Sequence, residues 1–161
     1  MSNLAELGTM PEILRIEKEM REFPSLTLPV EHYQIDGVYV RSLFLPAGTL
    51  LTGKIHNFEN IAILAQGTIR VSNGTDAYVL TAPHIMVDKP GVKRIGYAET
   101  DVTFITVHKT ANTEIDDIEK ELVSDTFEEY EQQLLLQALL LLLLQVLLLL
   151  LQALLLLLLQ A

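Results

Sequence analysis

GTLLTGKIHNFENIAILAQG, residues 48–67, is the stretch that decides the fold. TLLTGKI and NIAILAQ alternate apolar and other side chains with the period of two expected of strands. Lys54 and His56 stand two residues apart, so in one strand they share a face. Asn60 opens the second strand, and Gly48 and Gly67 bracket the pair.

The same rhythm continues on both sides. Upstream, HYQI and VYVRSLFL are separated by Asp36-Gly37, a hairpin signal because both central turn positions tolerate positive φ. Downstream come TIRVS, Asn73-Gly74, AYVLT, Pro83, HIMVD, Pro90-Gly91, VKRIGYA and VTFITVH. Turn signals roughly every 8–12 residues between alternating strands predict a sandwich or closed barrel over residues 31–110, not a βαβ sheet. Asn73-Gly74-Thr75 matches a glycosylation sequon but reads as a hairpin turn.

Helices flank the strands. Thr9 and Glu12 form a capping-box pair, Pro11 suits the first turn, and Ile13, Ile16, Met20 and Phe23 recur at helical spacing until Pro24 and Pro29. This first helix and its lead-in occupy residues 1–30. Residues 111–133 predict an acidic amphipathic helix capped by Thr113, with an apolar seam of Ile115, Ile118 and Leu122. Ser124-Asp125 followed by Glu128 marks a break and restart, and Phe127, Tyr130 and Leu134 carry the spacing into the tail.

Charge is unevenly distributed. The chain has 11 basic and 21 acidic residues, a net of −10. Nine carboxylates and one Lys lie between Glu114 and Glu131, a net of −8, leaving −2 for the remainder. So few basic clusters argue against nucleic acid, which is bound by Lys and Arg neutralising phosphates. They also argue against an anionic lipid surface. Without cysteine there is no disulfide framework, thiol nucleophile or thiolate metal site. MSNLAELGTMPEILRIEKEM lacks the apolar core of a signal peptide, so secretion by that route is not expected. On these grounds the expected location is cytoplasmic.

The spacing of the central stretch resembles the first motif of the cupin family: Gly, five residues, His-x-His, three or four residues, Glu, six residues, Gly. Here Gly48 is followed by five residues, Lys54-Ile55-His56, three residues, Asn60, six residues and Gly67. The second cupin motif is Gly, five residues, Pro-x-Gly, two residues, His, three residues, Asn. Pro83, Lys89-Pro90-Gly91, Arg94 and Ala98 take its places. The resemblance covers residues 38–109. It implies a mainly β fold, a small single-domain double-stranded β-helix, to which the residue patterns above add an N-terminal helix and a long C-terminal helix. A fainter resemblance, to small cupin-like proteins of tailed bacteriophages, implies a virion component.

In cupins the ligand positions hold a metal through imidazoles and a carboxylate. Lys54, Asn60 and Arg94 leave His56 as the one good donor, and two cations repel a divalent ion. Neither a metal nor any other cofactor is expected. Glu59, one residue from the Asn60 position, restores a single ligand at most. Lys54, His56, Asn60 and Arg94 are the candidates for holding a small anion. Alternatively, the two cations reach the barrel mouth and His56 is hydrogen-bonded in the core. Metal-free sugar epimerases of the same family keep a catalytic reading open, with His56 as base. His32, His84 and His108 lie on separate strands with no metal-ligand spacing and read as ordinary strand residues. No phosphate loop, nucleophile elbow or zinc-helix motif occurs.

Residues 134–161 are 20 Leu, 4 Gln, 3 Ala and 1 Val. As a helix they span about 42 Å, against about 30 Å for a bilayer's hydrocarbon core. Gln137, Gln145, Gln152 and Gln160 recur at 8, 7 and 8 residues, a repeat that favours a right-handed superhelix. A membrane helix, an oligomeric coiled-coil bundle and a non-natural or unassigned extension all remain open. A monomer exposing so many leucines would not stay soluble. The first reading is therefore a non-enzymatic structural protein, a metal-free barrel assembled as a homo-oligomer through its C-terminal helices or into a larger particle. A binder of small anionic ligands and a metal-free isomerase are the alternatives.

Overall fold

The computed structural model describes residues 9–159. The first eight residues and Gln160, the last of the four recurring glutamines, lie outside that range. Helix α1 (Met10–Met20) opens the described chain with a capping box, in which the Glu12 carboxylate accepts from the backbone N–H of Thr9 and also from its hydroxyl. Ile13 is fully buried and Ile16 and Met20 half-buried. Phe23, placed by its spacing on the same stripe, lies beyond the helix end and is 70 % exposed.

Ten strands follow. They are β1 (Val30–Ile35), β2 (Val38–Leu45), β3 (Leu50–Thr52), β4 (Ile55–His56), β5 (Asn60–Gln66), β6 (Thr68–Ser72), β7 (Ala77–Thr81), β8 (His84–Asp88), β9 (Ile95–Ala98) and β10 (Val102–Lys109). One antiparallel sheet has the order β1-β2-β10-β5-β8 and the facing one β3-β9-β6-β7. Chain order thus alternates between the sheets, with the first and last strands of the roll side by side and the middle strands paired. That is the order of a double-stranded β-helix or jelly roll.

The two inner faces meet in a core of Leu43, Leu45, Leu64, Ile69, Val71 and Val102 with smaller neighbours. Gly67, at φ +88, makes the β5–β6 turn so close to the chain that a Cβ would sit 2.1 Å from the Asp101 carbonyl oxygen.

TLLTGKI does not form one strand. It breaks at Gly53-Lys54, where the Gly53 N–H donates to the Arg94 carbonyl at 2.8 Å and the chain steps out of β3 before re-entering as β4. Lys54 therefore lies outside β4 and shares no strand with His56, although both border the same cavity. VKRIGYA shortens to β9 for the matching reason, because residues 92–94 form the other side of that step.

After the barrel, α2 (Ile115–Leu122) buries Ile118 and Leu122 against Tyr39, while Ile115 stays 39 % exposed. Its cap position is Glu114, not Thr113, whose carbonyl instead accepts from Gln34. The break near Ser124 is a two-residue strand, β11 (Val123–Ser124), paired antiparallel with β4. Asn57 ties it down: its side chain donates to the Glu121 carbonyl and accepts from the Ser124 hydroxyl. Helix α3 (Phe127–Leu159) then restarts with the Thr126 hydroxyl accepting from the Glu129 N–H. No described residue of α3 is buried. It is the one helix among the described residues long and apolar enough to cross a membrane.

Candidate functional site

Four elements bring polar groups to one end of the barrel interior. His56 comes from β4 and Asn60 from the start of β5. Asp88, at the end of β8, is the direct cross-strand partner of Asn60. Arg94 enters from the turn before β9. The Asn60 side-chain amide donates to His56 Nδ1 at 2.6 Å, which leaves the ring proton on Nε2 and the imidazole neutral. Arg94 Nη1 and Asp88 Oδ2 form an ion pair at 2.7 Å. Asp88 is 3 % exposed and Asn60 4 %.

His108, on β10, stacks on His56 with ring centroids 5.3 Å apart and planes inclined by 23°. Tyr39 lies beyond it, and the Tyr39 hydroxyl is 2.7 Å from His32 Nδ1. Burial first, then the Arg94 and Arg41 guanidinium groups, push the His56 imidazole down to about 4. Burial, His56 and Arg41 push His108 down to about 4 as well, against the opposing pull of Asp88. Both rings are uncharged at neutral pH.

A cavity of ≈ 110 Å³ adjoins this cluster. His56, Asp88, Arg94 and Thr106 line its polar end, while Leu43 and Phe104 are among the apolar side chains opposite. Asn60 Oδ1, Asp88 Oδ1 and Arg94 Nε are buried without a hydrogen-bond partner.

His56, Asn60 and Arg94 thus come together. Lys54 borders the same cavity, but its ammonium turns to the acidic segment, 3.2 Å from Asp125 and 3.7 Å from Glu119. Glu59 is exposed and bonded to Lys89, away from the Asn60 position. Asp88 and His108 are the residues that sequence reasoning missed. Strand parity held the signal for both: in VTFITVH, His108 falls on the inner face with Val102, Phe104 and Thr106, and in HIMVD, Asp88 falls on the face that meets Asn60.

The fold's usual divalent metal does not suit these residues. Among the described residues no group of three His, Cys, Asp or Glu side chains is placed to hold an ion. The one carboxylate at the centre is paired with a guanidinium, and Nδ1 of His56 is occupied by Asn60.

No family model and no curated protein matches the chain. Solved structures resemble it at low identity. Ectoine synthase from P. lautus is 16% identical, with a TM-score of 0.49 over 60% of this chain and 75% of that one. A conserved protein with a double-stranded β-helix domain from Klebsiella pneumoniae is 16% identical, with a TM-score of 0.47 over 57% and 85%. An RmlC-like cupin family protein from Methanocaldococcus jannaschii is 18% identical, with a TM-score of 0.44 over 53% and 82%. By its own strand order, this chain has the cupin-type double-stranded β-helix fold.

Proposed function

We propose that the chain is a non-enzymatic interaction protein, a barrel with a structural polar centre that assembles into a homo-oligomer through α3. The observation that carries this reading is how the groups at the cupin ligand positions are engaged. Arg94 is held by Asp88, His56 by Asn60, and Lys54 by Asp125 and Glu119. A base at about 4 is poorly matched to proton abstraction at neutral pH. The ≈ 110 Å³ cavity is also small beside the roughly 300–1,000 Å³ of ordinary ligand pockets, which weighs against a sugar substrate.

Assembly follows from α3. Leu134–Leu159 is uncharged and extends about 39 Å, longer than a hydrocarbon core of about 30 Å. Gln137, Gln145 and Gln152 recur along it, and acids rather than basic residues precede it. Packing against identical helices covers the leucines and gives the glutamines partners. The test is the mass of the full chain and of a chain ending at Gln133, both in detergent-free buffer. A defined oligomer that loses its higher-order state on truncation is expected. A soluble full-length monomer, or a chain that stays dispersed only in lipid, overturns the reading.

The partnerless buried polar atoms at the cavity favour a second reading, a binding module. Of these, Arg94 and Asp88 line the cavity, where Arg94 Nε offers a donor and Asp88 Oδ1 an acceptor, so the matching ligand is small, uncharged and both donor and acceptor. An anion would meet the Asp88 carboxylate. A thermal-shift screen of small amides and alcohols separates the readings: a saturable rise abolished by Asp88→Leu/Arg94→Met supports binding, and no rise leaves the centre structural.

A further inference from the structure

A larger cleft, of ≈ 1120 Å³, opens between the β1–β2 hairpin, the segment after β10 and the first turns of α3. None of the groups at the cupin ligand positions lines it. The stacked imidazoles divide the two spaces: His56 borders the inner cavity and His108 the outer cleft. The α3 wall is fixed by Tyr130, which packs so closely on Gly91 that a Cβ there would come 3.0 Å from its ring. His108 is 6 % exposed, and its contacts are the rings of His56 and Tyr39. Neither of its ring nitrogens has a hydrogen-bond partner among the described residues. Buried polar groups are normally paired, so this imidazole presents an unfilled site to the cleft. Glu121 is a second acceptor on the same wall. Its Oε2 accepts from the Thr110 hydroxyl and from Asn112 Nδ2, which holds the carboxylate still and leaves Oε1 without a partner. Thr110 follows His108 by two residues, so both acceptors belong to one stretch of chain.

We propose that this cleft binds a small organic ammonium carrying an apolar ring or chain, its N–H groups donating to a ring nitrogen of His108 and to Glu121 Oε1. The charge of the lining selects the cation. Its charged side chains are the carboxylates of Asp36, Glu59 and Glu121 against the single ammonium of Lys109. An anion would face that excess, and an uncharged alcohol would forgo the charge-assisted bonds. An ammonium has donors and no acceptor, which suits an uncharged imidazole and a carboxylate oxygen. Phe58, 38 % exposed, and the Tyr130 ring offer aromatic faces to the cation and its apolar part. The volume exceeds what an ammonium head alone fills, so the ligand brings a hydrocarbon body.

The test is isothermal titration of the full-length chain with phenethylammonium, and with phenethyl alcohol and phenylpropanoate as its uncharged and anionic counterparts. Phenethylammonium should bind at least about tenfold more tightly than either, the ratio that one charge-assisted hydrogen bond supplies. Glu121→Gln should weaken it about tenfold, and so should His108→Phe, which keeps a stacked ring but no nitrogen. Should His108→Phe fail to fold, Phe58→Ala at the exposed wall takes its place, with a several-fold loss expected. Asp88→Leu/Arg94→Met should leave this binding unchanged while abolishing any at the barrel centre, so the two sites succeed or fail separately. The absence of saturable phenethylammonium binding in the millimolar range overturns the proposal, as does an alcohol or carboxylate that binds equally well. Binding that survives both Glu121→Gln and His108→Phe resides on the leucines of α3 and overturns it too.

Discussion

Substitution at the Arg94–Asp88 pair probes the barrel centre most sharply. Removing one member of a buried ion pair strands the other, at a cost of roughly 3–5 kcal/mol. The two members are not equally placed: Asp88 is 4 % exposed at its side chain and Arg94 24 %. Asp88→Asn leaves a guanidinium that still reaches some water, so about 3 kcal/mol is expected, whereas Arg94→Met strands the deeper carboxylate and should approach about 5 kcal/mol. At roughly 3 °C per kcal/mol for a domain of this size, Asp88→Asn lowers Tm by about 10 °C. Asp88→Leu/Arg94→Met removes both charges and should recover to within about 1.5 kcal/mol of the parent. Urea unfolding followed by near-UV tyrosine dichroism is the suitable assay, because α3 dominates the far-UV signal and the chain has five Tyr and no Trp. A double variant no better than Arg94→Met would refute the view that these groups chiefly satisfy one another.

The imidazole stack makes stability sensitive to acid. His56 and His108 titrate near 4 when folded against 6.5 when unfolded, so between those values the unfolded chain binds more protons. Stability should be intact above about pH 6.5 and fall on acidification, by on the order of 1–2 kcal/mol per imidazole at pH 5, and His56→Gln should flatten that slope. Lys93, 1 % exposed, donates to Glu17 of α1 and to the Gly53 carbonyl, each at 3.0 Å. Glu17→Gln should cost about 3 kcal/mol and speed amide exchange throughout α1, while unchanged exchange would show that Ile13 alone docks the helix. Gly67→Ala should cost more than about 2 kcal/mol by urea titration, since it meets both a positive φ and a backbone oxygen; a neutral result would mean that the β5–β6 turn shifts freely.

Most of the barrel was legible because period-two alternation and Gly or Pro turn signals agree along residues 31–110. The misses share a cause. Parity assigned Lys54 to the face of His56, but parity holds only inside a strand, and the hydrogen bond from Gly53 to the Arg94 carbonyl breaks that strand. The span from Val123 to Ser124 looked like a helix break because its partner, β4, lies far away in sequence. Pairing of Asp88 with Arg94 was likewise hidden: the carboxylate sits six residues before the guanidinium, outside any motif position, and meets it through the bend between β8 and β9. Spacing revealed the outline of the site; which groups neutralise each other depended on tertiary geometry.

Side-chain nitrogen NMR of His56 and His108 during titration with manganese or zinc tests the barrel centre most directly. With Nδ1 accepting from Asn60, His56 should show a neutral ring protonated at Nε2 at pH 7, and neither imidazole should broaden or shift with added ion. Stoichiometric broadening by manganese, or a zinc-induced shift of His56 that is lost on Asp88→Asn, would contradict the account.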